Sequence, residues 1–251
     1  MLQILLRTNT FIIYSSYVMM ALGSIVAMAV ILKEARRTGI DTLKIYPLLF
    51  YVYLSALLGG KGFKCLLNEY SLDLLCFIRF WEGSMTFYGG FLLAGLVFVL
   101  YGWMQRLEIL KLADIFVPGL ALFLALYRIG CFLNGCCWGK VTNLPWALNF
   151  PMFEEARHPT QLYSSLNAMI LFSIVWAMRK RKGFEGQLSV IFVFYYSMTR
   201  FIIEVFRDDP RRFLTILDLR LSESQAISIP LLISSIIMHL YLRQRASRIP
   251  S

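Results

Sequence analysis

The sequence from Leu112 to Lys140 reads LADIFVPGLALFLALYRIGCFLNGCCWGK and indicates both the class of the fold and the place of a site. An almost purely apolar run ends in an arginine, Arg128, and a glycine-rich turn follows. An arginine at membrane depth is costly unless a partner takes its charge. Arg128 is therefore a candidate functional residue, and an anion is its expected partner.

The composition indicates a membrane protein. Of the 251 residues, 58% are hydrophobic and 16% are charged, and the mean hydropathy is +0.64. The apolar residues gather into runs close to the roughly 20 residues that cross about 30 Å of hydrocarbon. Seven such runs lie at about 10–32, 45–63, 86–104, 112–134, 160–178, 187–206 and 225–242. We therefore expect an all-α polytopic protein with about seven transmembrane helices, forming one integral membrane domain over the whole chain.

The net charge of +10 lies mainly in short loops between the runs, where it sets topology rather than indicating nucleic acid binding. With the N-terminus outside, thirteen lysines and arginines fall on the inner side and nine on the outer side. The cluster Arg179–Lys182 is the strongest single contribution. This pattern predicts an outer N-terminus and an inner C-terminus. The longer connections, at about 64–85, 135–159 and 207–224, then form functional loops on the outer face.

Unusual polar residues collect at the outer ends of four runs. They are Tyr88 with Gly89 and Gly90, Arg128, His158 with Gln161, and Arg200 with Glu204. Arg200, Glu204 and Arg207 are spaced i, i+4 and i+7, so they share a helical face that Tyr196 extends.

These charges allow two interpretations. An Arg200–Glu204 ion pair would serve only to let the helix insert. Arg128, however, has no carboxylate three or four residues away in the sequence. A positive charge is then left for an anionic ligand, and the planar guanidinium suits a phosphate diester.

Glycines and a histidine near these charges also allow two interpretations each. Gly89, Gly90 and Gly130 permit close approach of either a neighbouring helix or a ligand. Pro159 suits the first position of a helix. His158 is then either a capping group or a general base.

The five cysteines form two groups. Cys131, Cys136 and Cys137 surround the glycine-rich turn, where either a metal site or small apolar packing fits. Their spacing lacks the paired CxxC pattern of strong metal sites, so we expect no metal and no cofactor. Cys65 and Cys76 flank the first outer loop, and an oxidising compartment would allow a disulfide between them.

Five segments carry a resemblance to a known family. They are Phe87–Phe91 (FYGGF), Arg128–Lys140 (RIGCFLNGCCWGK), His158–Tyr163 (HPTQLY), Arg200–Arg207 (RFIIEVFR) and Leu221–Pro230 (LSESQAISIP). In these segments, which cover the third to the seventh run, the chain resembles the bacterial prolipoprotein diacylglyceryl transferases.

The resemblance implies transfer of the diacylglyceryl group of phosphatidylglycerol to the lipobox cysteine of a prolipoprotein signal peptide. The reaction would release glycerol phosphate in the bacterial inner membrane, among membrane lipids. Arg128 and Arg200 would stabilise the leaving phosphate, and Tyr88, His158 or Glu204 would take the thiol proton. The residues expected to contact substrate are Arg128, Arg207, Gly89, Gly90, Gly130, Asn134, Gln161, Tyr163 and Tyr196.

The chain departs from the family pattern at four positions. It has Tyr88 where many members have histidine, Cys131 in place of asparagine, and Cys136 and Ser164 in place of glutamates. These departures keep two alternatives open. One is a phospholipid-using transferase with a different acceptor, and the other is a non-enzymatic protein that binds or transports lipid.

Replacing Tyr88 with phenylalanine tests the first departure. A tyrosine hydroxyl keeps its proton at neutral pH unless a nearby cation lowers its pKa. We expect Tyr88→Phe to slow transfer without unfolding the protein, because it removes one hydroxyl and keeps the ring. Lower turnover at saturating lipid would indicate proton transfer, and a higher lipid requirement would indicate headgroup binding. Kinetics unchanged in both respects would remove Tyr88 from the site.

Overall fold

Seven helices account for the seven apolar runs. The computed structural model describes residues 4–7, 12–67, 87–208, 213–216 and 219–248. Within these ranges the helices are α1 (Ser15–Arg37), α2 (Thr42–Leu67), α3 (Phe87–Met104), α4 (Ile109–Asn134), α5 (Thr160–Met178), α6 (Gln187–Val205) and α7 (Glu223–Ser247). Six are long and apolar enough to cross a membrane, and α3 is a shorter apolar helix over Gly89–Met104. The prediction of an all-α polytopic membrane protein is confirmed.

Three two-stranded antiparallel ribbons complete the secondary structure of the described ranges. They pair β1 (Ile4–Arg7) with β2 (Ile12–Tyr14), β3 (Leu148–Asn149) with β4 (Ala156–Arg157), and β5 (Phe213–Ile216) with β6 (Leu219–Ser222). The second ribbon lies between α4 and α5, and the third lies directly before α7. The ribbons therefore belong to connections and chain ends, and the helices form the core.

The chain divides into two compact units, Met1–Ile31 with Ala113–Ser251, and Leu32–Leu112. The first unit holds the beginning of α1, most of α4, and α5 to α7. The single membrane domain and the outer N-terminus stay predictions. Cys65, in the second unit, is disulfide-bonded, and Cys76 lies outside the described residues.

Helices α4, α5 and α6 share the buried core of the first unit. Its side chains are Val117, Ala121, Leu124, Ala125, Ala168, Leu171, Val175, Leu188 and Phe192. Two hydrogen bonds cross between the helices. Ser165 Oγ donates to Ala125 O at 3.0 Å, and Asn167 Nδ2 donates to Thr199 Oγ1 at 2.7 Å. Such bonds help to hold membrane helices together, where water does not compete for the polar groups.

Glycines let α1 approach α4 closely. A Cβ atom on Gly119 would lie 2.8 Å from Ala27 O, and one on Gly130 would lie 3.0 Å from Met19 Cβ. Neither position has room for a larger residue unless a helix shifts. Helix packing therefore accounts for Gly130, which we had also expected to contact substrate.

Glycines also let α2 and α3 approach each other closely in the second unit. A Cβ atom on Gly90 would lie 2.6 Å from Ala56 O, and one on Gly59 would lie 2.8 Å from Leu93 Cβ. A Cβ atom on Gly89 would overlap Gly59 O. Close helix contact thus accounts for both glycines of the pair that we had assigned to substrate binding.

Asp114 connects α4 to the beginning of α6, about 20 Å along α4 from Arg128. The residue is buried, and its Oδ1 accepts hydrogen bonds from Ser189 N and Ser189 Oγ, both at 2.9 Å. Its Oδ2 accepts from Gly186 N at 2.9 Å and from Lys182 Nζ at 3.1 Å. The carboxylate therefore caps α6, whose first N–H groups and dipole favour a negative charge.

Replacing Asp114 with asparagine should lower the free energy of unfolding by about 2–3 kcal/mol, because buried donors lose a charged acceptor. Denaturant titration in detergent micelles measures the change. Asp41→Asn is the matched control, since exposed Asp41 caps α2 by accepting from Leu43 N at 2.9 Å. Asparagine caps a helix about as well as aspartate, so the control should stay near wild type. Equal stabilities of the two variants would contradict the capping role of Asp114.

Candidate active site at the ends of four helices

Four helices bring polar groups to one end of the first unit. α4 and α6 contribute their C-terminal turns, which carry Arg128 and Arg200, and α5 and α7 contribute their N-terminal turns. Arg200 Nη2 donates to Ser224 Oγ of α7 at 2.8 Å. Gln161 Nε2 of α5 donates to Cys136 O, just beyond α4, at 2.5 Å. Three of the four predicted groups of polar residues therefore meet within this unit.

The Arg200–Glu204 ion pair, which is one of the two interpretations of these charges, forms on α6. Arg200 Nη1 lies 2.5 Å from Glu204 Oε2, and Arg207 Nε lies 3.7 Å from the same oxygen. The side chains of Glu204 and Arg207 are 4% and 3% exposed. Arg200 and Arg207 therefore share one carboxylate.

Arg128 is held differently. Its side chain is half-buried, and its Cζ lies 5.8 Å from the centre of the Tyr127 ring. It interacts electrostatically with Tyr196 and with the positive charge of Arg200. Among the described residues, no carboxylate lies within ion-pair distance of Arg128. The arrangement leaves a guanidinium beside another cation, where an anion would be stabilised.

The turn after α4 is fixed by the first residues of α5. Gly135 and Cys137 have left-handed backbone angles, with φ values of 71° and 67°, and this conformation is uncommon for a residue other than glycine. Thr160 Oγ1 donates to Cys137 O at 2.7 Å, and Gln161 holds Cys136 O. Thr160 and Gln161 are each 1% exposed. Gln161 Oε1 is also buried and accepts no hydrogen bond from any described residue, so it keeps an acceptor for a ligand.

The turn brings three thiols together. The sulfur atoms of Cys131, Cys136 and Cys137 all lie within 4.8 Å of one another, and none of these cysteines forms a disulfide. The contact with Cys131 is the main cause that raises the pKa of the Cys136 thiol. Contacts with Cys131 and Cys136, together with the charges of Arg207 and Arg128, lower the pKa of the Cys137 thiol. The three cysteines therefore form a cluster of mutually contacting thiols.

His158 lies directly before α5. Its Nδ1 is 3.1 Å from the hydroxyl of Tyr163, which also accepts a hydrogen bond from Trp146 Nε1 at 2.8 Å. Pro159 is the N-cap residue of α5, and no side chain caps this helix. The capping interpretation of His158 is therefore wrong, and Pro159 lies one position earlier than predicted. The ring of His158 is oriented by Tyr163, and the interpretation of His158 as a general base stays a prediction.

A short backbone bridge joins the loop after α4 to the end of α6. Gly139 N donates to His158 O at 2.9 Å, Lys140 N to Phe206 O at 2.8 Å, and His158 N to Lys140 O at 3.0 Å. A Cβ atom on Gly139 would lie 2.7 Å from Phe206 O and 2.8 Å from His158 O. Only glycine fits between these two carbonyl groups, and the bridge places His158 next to α6.

Three positions of this arrangement were not among the predicted site residues. They are Gly139, Thr160 and Ser224, which act through backbone approach or contacts between distant helices. Gly139 and Thr160 lie in segments that carry the family resemblance, but only Ser224 lies beside a local structural signal. The pattern Ser222-x-x-Gln225 predicts a capping box, and the structure has both of its bonds, so α7 begins directly before Ser224.

Four other predicted residues lie away from these contacts or outside the described side chains. Asn134 is the last residue of α4 and is half-buried. Gly89 and Gly90 belong to the second unit. The side chain of Tyr88 lies outside the described residues, so its grouping with Arg128 stays a prediction.

Comparisons with known proteins agree with the resemblance. Residues 3–241 match the family model described as prolipoprotein diacylglyceryl transferase. A phosphatidylglycerol–prolipoprotein diacylglyceryl transferase of Bordetella bronchiseptica is 33% identical over 217 residues, which cover 84% of this chain and 82% of the relative. The Cupriavidus necator protein of the same name is 34% identical over 82% of this chain and 78% of its own length. The Methylobacillus flagellatus protein of that name is 36% identical over 75% and 74%.

Replacing Gly139 with alanine should open the backbone bridge, because the new Cβ atom meets two carbonyl oxygens. An overpacking cost of about 1–3 kcal/mol corresponds to at least about fivefold faster tryptic cleavage after exposed Lys140. Mass spectrometry of the micelle-bound protein measures this rate. Gly183→Ala is the matched control, because its Cβ would meet only Gln187 Oε1 at 3.7 Å. Wild-type cleavage in the Gly139 variant would show that the bridge tolerates a side chain.

Proposed function

Since this chain belongs to the prolipoprotein diacylglyceryl transferase family, we propose that it transfers the diacylglyceryl group of phosphatidylglycerol to the lipobox cysteine thiol of a prolipoprotein signal peptide. The product is a thioether, and glycerol phosphate is released. The protein acts in the bacterial inner membrane, with its N-terminus and the site on the outer side. Exposed apolar side chains such as Trp103 and Ile237 contact the surrounding lipids. The disulfide of Cys65 supports an oxidising environment at the end of α2.

Arg128 is the observation that carries this proposal. The phosphate diester of phosphatidylglycerol has one negative charge and two oxygens at the spacing of a guanidinium fork. Arg128 has no carboxylate partner among the described residues. The phosphate supplies the missing anion, and the low dielectric of the membrane strengthens the attraction.

The positive groups also suit the transition state. The thiol sulfur attacks the carbon of the diacylglyceryl group that is bonded to the phosphate oxygen. This carbon–oxygen bond breaks, and its electron pair stays on the oxygen of the departing glycerol phosphate. Arg128 and Arg200 stabilise the negative charge that grows there, as preorganised cations do in other enzymes. Glu204 and Ser224 hold Arg200 in position from two helices.

Neutral groups complete the site. Gln161 Oε1 is buried without a donor among the described residues, and it accepts a hydrogen bond from a hydroxyl of the glycerol headgroup. His158 takes the proton of the thiol, since Tyr163 orients its ring. Glu204 is engaged by Arg200 and Arg207 and serves to position them.

Purified protein incubated with phosphatidylglycerol and a synthetic lipobox peptide tests the activity. The expected product is a peptide with a diacylglyceryl mass on its cysteine, detected by mass spectrometry. A peptide with serine in place of the cysteine is the control and should stay unmodified. Phospholipid binding without a thioether product would contradict the transferase and favour a lipid-binding protein.

Arg128→Ala should lower the rate of thioether formation by at least about 100-fold, the effect of losing one preorganised charge in a transition state. Arg128→Lys should recover little, because a point charge does not reproduce the two parallel bonds of a guanidinium. Arg243→Ala, at an exposed position near the end of α7, is the control and should keep the wild-type rate. Wild-type turnover in the lysine variant would exclude the bidentate contact to phosphate.

A further inference from the structure

The three-thiol cluster has no part in the proposed reaction. Cys131 is buried, and Cys136 and Cys137 are half-buried. Their sulfur atoms lie within 4.8 Å of one another. Tetrahedral zinc holds its sulfur ligands at about 2.3 Å and therefore about 3.8 Å apart. The observed sulfur–sulfur distances need to shorten only slightly to reach this value.

The backbone that carries these thiols is held in place before any metal binds. Cys136 N donates to Cys131 O at 3.2 Å. The buried side chains of Thr160 and Gln161 fix the carbonyl groups of Cys137 and Cys136. Cys137 keeps a left-handed conformation that costs energy in a non-glycine residue. In metal sites, hydrogen bonds from residues that do not bind the metal commonly orient the ligands. The bonds of Thr160 and Gln161 are of this kind.

We propose that Cys131, Cys136 and Cys137 form a zinc site with three thiolate ligands. Three thiolates and Zn²⁺ together carry a single negative charge. Arg128, Arg200 and Arg207 carry three positive charges against the one negative charge of Glu204, so one positive charge balances the zinc site and one is left for the lipid phosphate. The spacing along the chain argued against a metal, because it lacks a CxxC pair. In the folded turn, the left-handed backbone at Cys137 brings the three sulfur atoms together. A CxxC pair is therefore not needed to assemble these ligands.

The fourth zinc position receives the thiol of the acceptor cysteine, a step that rests on the proposed function. Zinc sites with three protein ligands keep a position open for water or substrate, and a thiol bound to the metal is deprotonated. The thiol proton passes to His158 and then to water. The zinc-bound sulfur attacks the diacylglyceryl carbon that is bonded to the phosphate oxygen, a carbon–sulfur bond forms, and glycerol phosphate leaves with the electrons of the carbon–oxygen bond. No oxidant or reductant is involved.

Metal binding is measured on detergent-solubilised protein without a polyhistidine tag and without substrates. The protein is reduced, exposed to Zn²⁺, dialysed and analysed for metal by mass spectrometry. We expect about one zinc per chain. The triple variant Cys131→Ser, Cys136→Ser, Cys137→Ser should lose at least nine-tenths of it. His239→Gln is the control and should keep full zinc, because His239 lies beside Phe184 in a separate cavity near the end of α7.

Binding of Co²⁺ in place of zinc tests the open position. Wild-type protein should show thiolate-to-cobalt absorption that a lipobox peptide intensifies, whereas the serine peptide leaves it unchanged. These measurements need no phospholipid and no turnover, so they stand even if the transferase assay fails. Wild-type protein that binds no zinc with its three thiols reduced would overturn the proposal, whether or not the variants fold. Zinc retained by a folded triple variant would also overturn it, and an unchanged cobalt spectrum with the cysteine peptide would exclude the substrate position.

Discussion

The positive charge of Arg128 is the constraint on which the rest of the site depends. A guanidinium near the end of an apolar helix is expensive in a membrane unless an anion neutralises it. The carboxylate of Glu204 is already shared by Arg200 and Arg207. Among the described residues, no carboxylate lies at ion-pair distance from Arg128, so we infer that an external anion neutralises its charge. In the proposed reaction, that anion is the phosphate of the lipid, which gains charge in the transition state.

The opposite end of the first unit supplies the rigidity that this arrangement needs. Asp114 joins α4 to α6 through a buried helix cap, and the shared apolar core fixes the two helices along their lengths. Arg128 and Arg200 are therefore held at a set separation. The loop between α4 and α5 is fixed by the backbone bridge at Gly139. Preorganisation of this kind lets cations stabilise developing charge without first rearranging.

The sequence predicted the parts that depend on hydrocarbon thickness or on spacing within one helix. The apolar run for α6 ended one residue beyond the observed helix, and the ion pair of Arg200 and Glu204 followed from their i, i+4 spacing. Contacts between distant segments were not predictable in this way. The approach of the thiols depends on the left-handed Cys137 and on Thr160 from another helix. Rules based on residue spacing predict neither the backbone angle of Cys137 nor the contact that Thr160 makes from another helix.

Equilibrium binding of lipid in the absence of any acceptor peptide tests the central claim most directly. Phosphatidylglycerol and diacylglycerol differ in the phosphate headgroup, so each is titrated against the wild type and Arg128→Gln in detergent. We expect the wild type to prefer phosphatidylglycerol and the variant to lose most of this preference. Diacylglycerol should bind both proteins equally. Equal binding of phosphatidylglycerol to the wild type and the folded variant would contradict a role of Arg128 in holding the phosphate.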